Sequence, residues 1–197
     1  MIAVPLALAF LIGSVPFGYI VSVVFFKRDI RAVGSGNIGA ANALRTLGKK
    51  AGLAVLALDV LKGVAAVVVA ARLAAEPGVA APLAGLAAML GHCYTPWLRF
   101  KGGKGVATFL GATCALSWES AAAFAIVWLA IVLPTGFSSV GSILGVTAAA
   151  AVVSLRDPRT AAWIFAAGSL ALVLWKHREN LNRLRAGTEN RLTLLKR

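Results

Sequence analysis

A chain of 197 residues that is 59% hydrophobic and only 14% charged, with mean hydropathy +0.84, is too apolar for a soluble globule, where charged residues make up about 25%. About 20 apolar residues cross a hydrocarbon core of about 30 Å, so this length allows about seven spans and leaves no room for an extramembrane domain; residues 1–197 read as a single all-α integral membrane domain. The net charge of +13, from 20 Lys and Arg against 7 Asp and Glu, belongs in juxtamembrane loops facing anionic lipid or anionic substrates, and no nucleic acid is expected as partner.

Apolar runs fall at about 2–26, 51–71, 79–98, 106–133, 137–155 and 160–175. The first lacks a basic n-region and outruns a signal h-region, so it reads as a first span. Within the long fourth run, Ser117 is a candidate N-cap and Glu119 suits a first helical turn, which predicts two helices, 106–117 and 119–133. Lys and Arg concentrate at 27–50, at 99–104 and in the tail from Lys176 to Arg197. Such clusters face the cytoplasm. Six spans would put the tail on the wrong side, whereas seven transmembrane helices with the N-terminus outside and the C-terminus cytoplasmic put all three clusters on one side. At helical rise 106–117 covers only about 18 Å, a short partial span. Cys93 and Cys114 sit in apolar stretches as small hydrophobes, with no disulfide framework and no metal-ligand cluster.

Polar residues that look out of place gather at the cytoplasmic ends. Gly34-Ser35-Gly36-Asn37-Ile38-Gly39 is a glycine-rich loop whose backbone N–H groups can converge on a phosphate or carboxylate, ahead of a short helix over Ile38–Leu47. Asn42 and Arg45, three apart, share a face of that helix, and Arg45 offers a bidentate fork. A second loop, Phe100-Lys101-Gly102-Gly103-Lys104-Gly105, precedes the helix that carries Thr108 and supplies further free N–H groups. It lacks the upstream glycine and following hydroxyl of a Walker A loop. Lys101 reads as a topology charge, Lys104 as a ligand held between glycines, and His92 as a packed histidine at a helix end. In the tail, His177, Asn180, Leu181 and Leu184 share one face, and Glu189 reads as a structural salt-bridge partner. Asp59 and Lys62, inside a span and three apart, are expected to pair with each other or with neighbours. Several cations and many backbone donors with few acids imply a multiply charged anionic substrate, while the adjoining spans leave room for an acyl chain. A small transporter or channel is the alternative, but such proteins place their polar features near the midplane and not at one interface.

Gly-Ser-Gly-Asn-x-Gly-x-x-Asn-x-x-Arg at 34–45, Gly-His followed by Phe-Lys-Gly-Gly-Lys-Gly-Val-Ala-Thr at 91–108, and His-x-x-Asn-x-x-Arg-Leu-x-x-Gly-x-Glu at 177–189 resemble the three motifs of the bacterial acyl-phosphate:glycerol-3-phosphate acyltransferase family, PlsY. The likeness runs over essentially the whole chain, in order. Ile38 and Ala41 stand where that family often has proline and threonine, so no hydroxyl acts at 41. The resemblance implies transfer of a fatty acyl group from long-chain acyl phosphate to the sn-1 hydroxyl of glycerol 3-phosphate, with no metal, other cofactor or acyl-CoA. It further implies a donor made by a soluble enzyme, PlsX, and a multi-pass protein of the bacterial inner membrane with its site at the cytoplasmic face.

By motif position, Ser35, Arg45 and Lys104 would hold glycerol 3-phosphate, in a site shaped by Gly102, Gly103 and Gly105. His177 and Asn180, with the stretch Ser138-Ser139-Val140-Gly141-Ser142, would face the acyl-phosphate head group. The expected catalytic set is therefore Ser35, Arg45, Lys104, His177 and Asn180. The expected substrate-binding set is Gly34, Gly36, Asn37, Asn42, Gly102, Gly103, Gly105, Thr108 and Ser142, with Glu189 structural. An acyl phosphate is already activated, so aligning two anions and offsetting their repulsion is most of the task. There is no Gly-x-Ser-x-Gly elbow and no His-x4-Asp pair, which disfavours a covalent acyl-enzyme. The base is either His177 or the donor's own phosphate.

Overall fold

A computed structural model describes residues 2–192; Met1 and residues 193–197, with Lys196 and Arg197 of the basic tail, lie outside the described residues. Those described are all-helical, with no strand. α1 (Ala3–Ser14) and α2 (Phe17–Phe26) form one apolar segment broken at Val15-Pro16, where proline cannot donate into the preceding turn. α3 (Ala40–Leu47) is short and amphipathic, and α4 (Lys49–Leu73) is the longest helix. α5 (Pro77–Cys93) is followed by the turn Pro96–Leu98, then by α6 (Val106–Leu116) and α7 (Trp118–Thr135). α8 (Ser138–Arg156), α9 (Thr160–Lys176) and the short α10 (Arg178–Arg185) complete the order.

Each expected apolar run is helical, the first and the fourth as two helices each. α5 stops at Cys93, short of the run's end at 98, because Pro96 closes a separate turn. The split at Ser117 is present: its hydroxyl accepts from the Ser120 N–H at 3.3 Å and starts α7. Four segments, Ala3–Phe26, Lys49–Leu73, Trp118–Thr135 and Ser138–Arg156, are long and apolar enough to cross a membrane, while Val106–Leu116 and Thr160–Lys176 are shorter apolar helices.

In lipid the apolar effect gives little drive between helices, so close packing has to supply it. Small residues allow that approach. A Cβ on Gly13 would collide with the Ala88 backbone across α1 and α5, and one on Gly111 with the Val60 carbonyl across α4 and α6. The buried core of α4 to α9 centres on Phe109, which stacks on Phe165 at 5.5 Å between ring centroids and tilts against Phe124 at 6.2 Å. Leu53, Leu61, Ile126, Leu155 and Trp163 face outward. The glycine-rich segments and the tail meet at one end of this bundle.

Candidate active site at one end of the bundle

The first loop is organised by Asn42. Its Nδ2 donates to the carbonyls of Ile30, Val33 and Asn37 at 3.2, 3.1 and 2.9 Å, and its Oδ1 accepts the Ser35 N–H at 2.9 Å. Gly34 and Gly36 have φ of +61° and +70°, values an L side chain resists, and a Cβ on Gly34 would overlap Asn42 Oδ1. Arg45, one turn beyond Asn42 on α3, turns into the bundle with its Nε buried and unpartnered. Burial pushes the Arg45 pKa down, yet a guanidinium stays charged, so the site contains a cation in want of an anion.

The second loop folds back on the end of α5. Gly102 N–H donates to the Cys93 carbonyl at 3.2 Å and Gly103 N–H to the His92 carbonyl at 3.1 Å. Gly105, at φ +82°, caps α6. Between them Lys104 Nζ donates to Asn180 Oδ1 across the bundle. Asn180 Nδ2 donates to Glu189 Oε1 at 2.6 Å, which also accepts Ser139 Oγ at 2.8 Å; Glu189 Oε2 pairs with Arg183 Nε at 2.9 Å. One carboxylate therefore fixes which way the Asn180 amide faces, and that amide fixes Lys104.

Electrostatics follow from burial. Desolvation, reinforced by the Arg183 guanidinium, pushes the Lys104 ammonium down to about 8. Burial opposes the Glu189 charge, but hydrogen bonds from Asn180, Ser139 and Arg183 outweigh it and hold the carboxyl below the usual range. Burial and then the Lys104 charge push His177 down to about 4, so its ring is neutral at pH 7. His177 Nδ1 lies 2.8 Å from the Val173 carbonyl. That partner requires a proton on Nδ1 and leaves Nε2 as an acceptor.

These groups share a cavity of about 340 Å³. Of the expected site residues, Ser35, Asn37, Asn42, Arg45, Lys104, Gly105, Ser142, His177, Asn180 and Glu189 line it; Gly34, Gly36, Gly102 and Gly103 stand behind it in the loops. Thr108 is fully buried on α6, away from the lining, with its hydroxyl unpartnered and its carbonyl against Gly63. Two ionisable lining residues outside the expected set, Asp59 on α4 and His92 on α5, join them. For Asp59 the signal was the ionisable pair within an apolar run; for His92 it was the Gly-His of the second motif, a residue that by itself reads as a packed histidine. Leu56, Leu110, Phe124, Trp128 and Leu129 form an apolar wall. Among the described residues no group of three or more His, Cys, Asp or Glu could hold a metal ion. The cavity thus joins a cationic, donor-rich end to an apolar one.

The glycerol-3-phosphate acyltransferase family model matches residues 3–187. A glycerol-3-phosphate acyltransferase of Rhodopseudomonas palustris (strain BisB5) is 43% identical over 187 residues, covering 95% of this chain and 94% of that protein. One from Nitrobacter winogradskyi is 45% identical over 188 residues, covering 94% and 93%. Crystal structures of PlsY (YgiH), an integral membrane glycerol 3-phosphate acyltransferase, superpose with TM-scores of 0.91 in the glycerol 3-phosphate form and 0.87 in the lysophosphatidic acid form. Identities are 37% and 36%, over 98% of this chain and 96% and 95% of those chains. With the motifs, the helical order and the cavity all in agreement, the chain belongs to the glycerol-3-phosphate acyltransferase family of integral membrane proteins.

Proposed function

We propose that the cavity holds a long-chain acyl phosphate beside glycerol 3-phosphate and transfers the acyl group to the sn-1 hydroxyl, releasing lysophosphatidic acid and phosphate. The observation that carries this reading is the union of Arg45, Lys104 and two glycine-rich loops with an apolar wall in one cavity. Its charged end suits phosphate and its wall suits an acyl chain. The glycerol 3-phosphate and lysophosphatidic acid forms of the similar PlsY structures support the acceptor and the product. In this reading Ser35, Arg45 and Lys104 hold the acceptor, while His177, Asn180 and Ser142 face the donor head group. Lys104, bonded to Asn180, stands between the two. The donor comes from a soluble acyl-phosphate-forming enzyme, PlsX.

Chemically, the sn-1 hydroxyl oxygen attacks the carbonyl carbon and forms the new ester bond, and the carbonyl carbon–phosphate oxygen bond breaks with its electron pair leaving on phosphate. The hydroxyl proton needs a base. His177, pushed down to about 4, is a weak base, whereas the donor's phosphate oxygen gains basicity as it takes the electron pair of the breaking carbon–oxygen bond. The proton therefore passes to the leaving phosphate, and His177 orients through Nε2. Purified protein given palmitoyl phosphate and glycerol 3-phosphate should form lysophosphatidic acid, and palmitoyl-CoA should not replace the donor. With palmitoyl phosphate alone, mass spectrometry should find no acylated residue. Turnover of palmitoyl-CoA only would overturn the donor assignment; stoichiometric acylation of Ser35 would overturn direct transfer.

The same reading places seven spans in the bacterial inner membrane, α1 and α2 counting as one and α6 as a partial span, with the N-terminus outside and the site and C-terminus cytoplasmic. Supporting it, residues from all three basic segments line one cavity, so an even number of crossings separates each from the next. On a background lacking Cys93 and Cys114, cysteines at positions 76 and 157 should label from outside intact cells. Those at positions 50, 101 and 190 should label only after permeabilisation; external labelling of position 190 would break the parity.

A further inference from the structure

Asp59 and Lys62 on α4 and His92 on α5 are all buried, at 1%, 4% and 3% exposure. Lys62 Nζ lies 2.7 Å from Asp59 Oδ1 and donates at 2.8 Å to the Val15 carbonyl, which at the break before Pro16 also accepts the Phe17 N–H at 3.1 Å. His92 Nδ1 faces the same carboxylate oxygen at 3.7 Å, a polar contact longer than a hydrogen bond. The other face of the imidazole is occupied by the second glycine-rich loop: a Cβ on Gly103 would overlap His92 Nε2, and the Gly103 N–H is bonded to the His92 carbonyl. Lys104 is the next residue. Asp59 and His92 also line the cavity that Lys104 enters.

A buried ion pair is weak evidence for stability, because apolar replacements of similar volume often do as well. Its placement here has a second consequence. We infer that Asp59, Lys62 and His92 form a positioning device for the glycerol 3-phosphate subsite, in which Lys62 ties Asp59 to the α1–α2 break and Asp59 steadies the His92 ring as the platform on which Gly102–Lys104 rests. None of the three touches the reacting atoms; they act through the loop. The inference rests on the reading of Lys104 as an acceptor ligand.

The test uses the full chain in detergent. Wild type is measured first, since absence of lysophosphatidic acid formation would remove the functional reading and leave the device without its object. Given an active wild type, Asp59→Asn/Lys62→Met abolishes the pair without leaving a buried charge, and should keep the unfolding midpoint within a few degrees of wild type. It should raise the KM for glycerol 3-phosphate about tenfold, the scale of a sub-ångström to ångström misplacement, while kcat and the KM for palmitoyl phosphate change less than threefold. His92→Phe, which keeps a ring beneath Gly103 but gives up the nitrogen that faces Asp59, carries the same expectation. A purely structural cluster would instead lower the midpoint and the active fraction together and leave both KM values alone. An unchanged KM for glycerol 3-phosphate in whichever of the two variants folds overturns the proposal.

Discussion

Lys104→Ala should lower kcat/KM for glycerol 3-phosphate by about 10²–10³-fold, the cost of removing one preorganised donor aimed at developing or fixed negative charge. The position is more demanding than a surface lysine, because desolvation has already brought its pKa down to about 8. A lowered ammonium pKa means that the charge is present below that pH and lost above it. The kcat/KM profile, which reports the free protein, should therefore fall with an apparent pKa near 8. A bound dianion favours the charged form, so the limb in kcat lies higher. Lys104→Arg separates charge from shape: a guanidinium does not titrate here, so activity should stay within about tenfold at pH 7 and the alkaline limb should vanish. A wild-type profile flat to pH 9.5, or Lys104→Ala within threefold of wild type, would contradict this account.

What the sequence made legible was periodic or local. Apolar runs gave the helices, Ser117 gave the α6–α7 boundary through its own N-cap bond, and the three-residue spacing of Asp59 and Lys62 gave their pair at 2.7 Å. The tail face was readable too, since His177 and Asn180 are buried while Arg178, Glu179 and Asn182 are exposed. Long-range choices were not readable. Lys104 meets Asn180 and Ser139 meets Glu189 across long stretches of chain, contacts decided by how helices pack and not by any spacing. Asn42 shows the limit most clearly. Its helical face was predictable, but its amide serves three backbone carbonyls of its own loop, a fate that only the folded path of residues 30–37 determines.

Glu189→Ala should damage both stability and activity, and Glu189→Gln should separate the two. The carboxylate side chain is only 3% exposed and accepts from Ser139, Asn180 and Arg183. Arg183 is 31% exposed, so its share resembles a surface pair, at most about 1 kcal/mol. The two uncharged donors matter more, since a hydrogen bond to a charged group contributes about 1.5–3 kcal/mol. Alanine orphans all of them, and a loss of about 3 kcal/mol should appear as a lower unfolding midpoint in detergent. It also releases the Asn180 amide, whose Oδ1 faces Lys104 only because Nδ2 is committed to Glu189; an amide free to turn presents N–H groups to an ammonium. Activity should then fall further than the folded fraction does. In Glu189→Gln the amide oxygen can take the place of Oε1 and still accept from Ser139 and Asn180, while its NH₂ faces an Arg183 side chain with room to swing toward solvent. Asn180 keeps its orientation, Lys104 keeps its anchor, and activity should remain within about tenfold of wild type. If glutamine proves as damaging as alanine, the negative charge itself, offsetting Lys104 and Arg183, is what the site requires, and orientation of Asn180 is not the reason Glu189 is there.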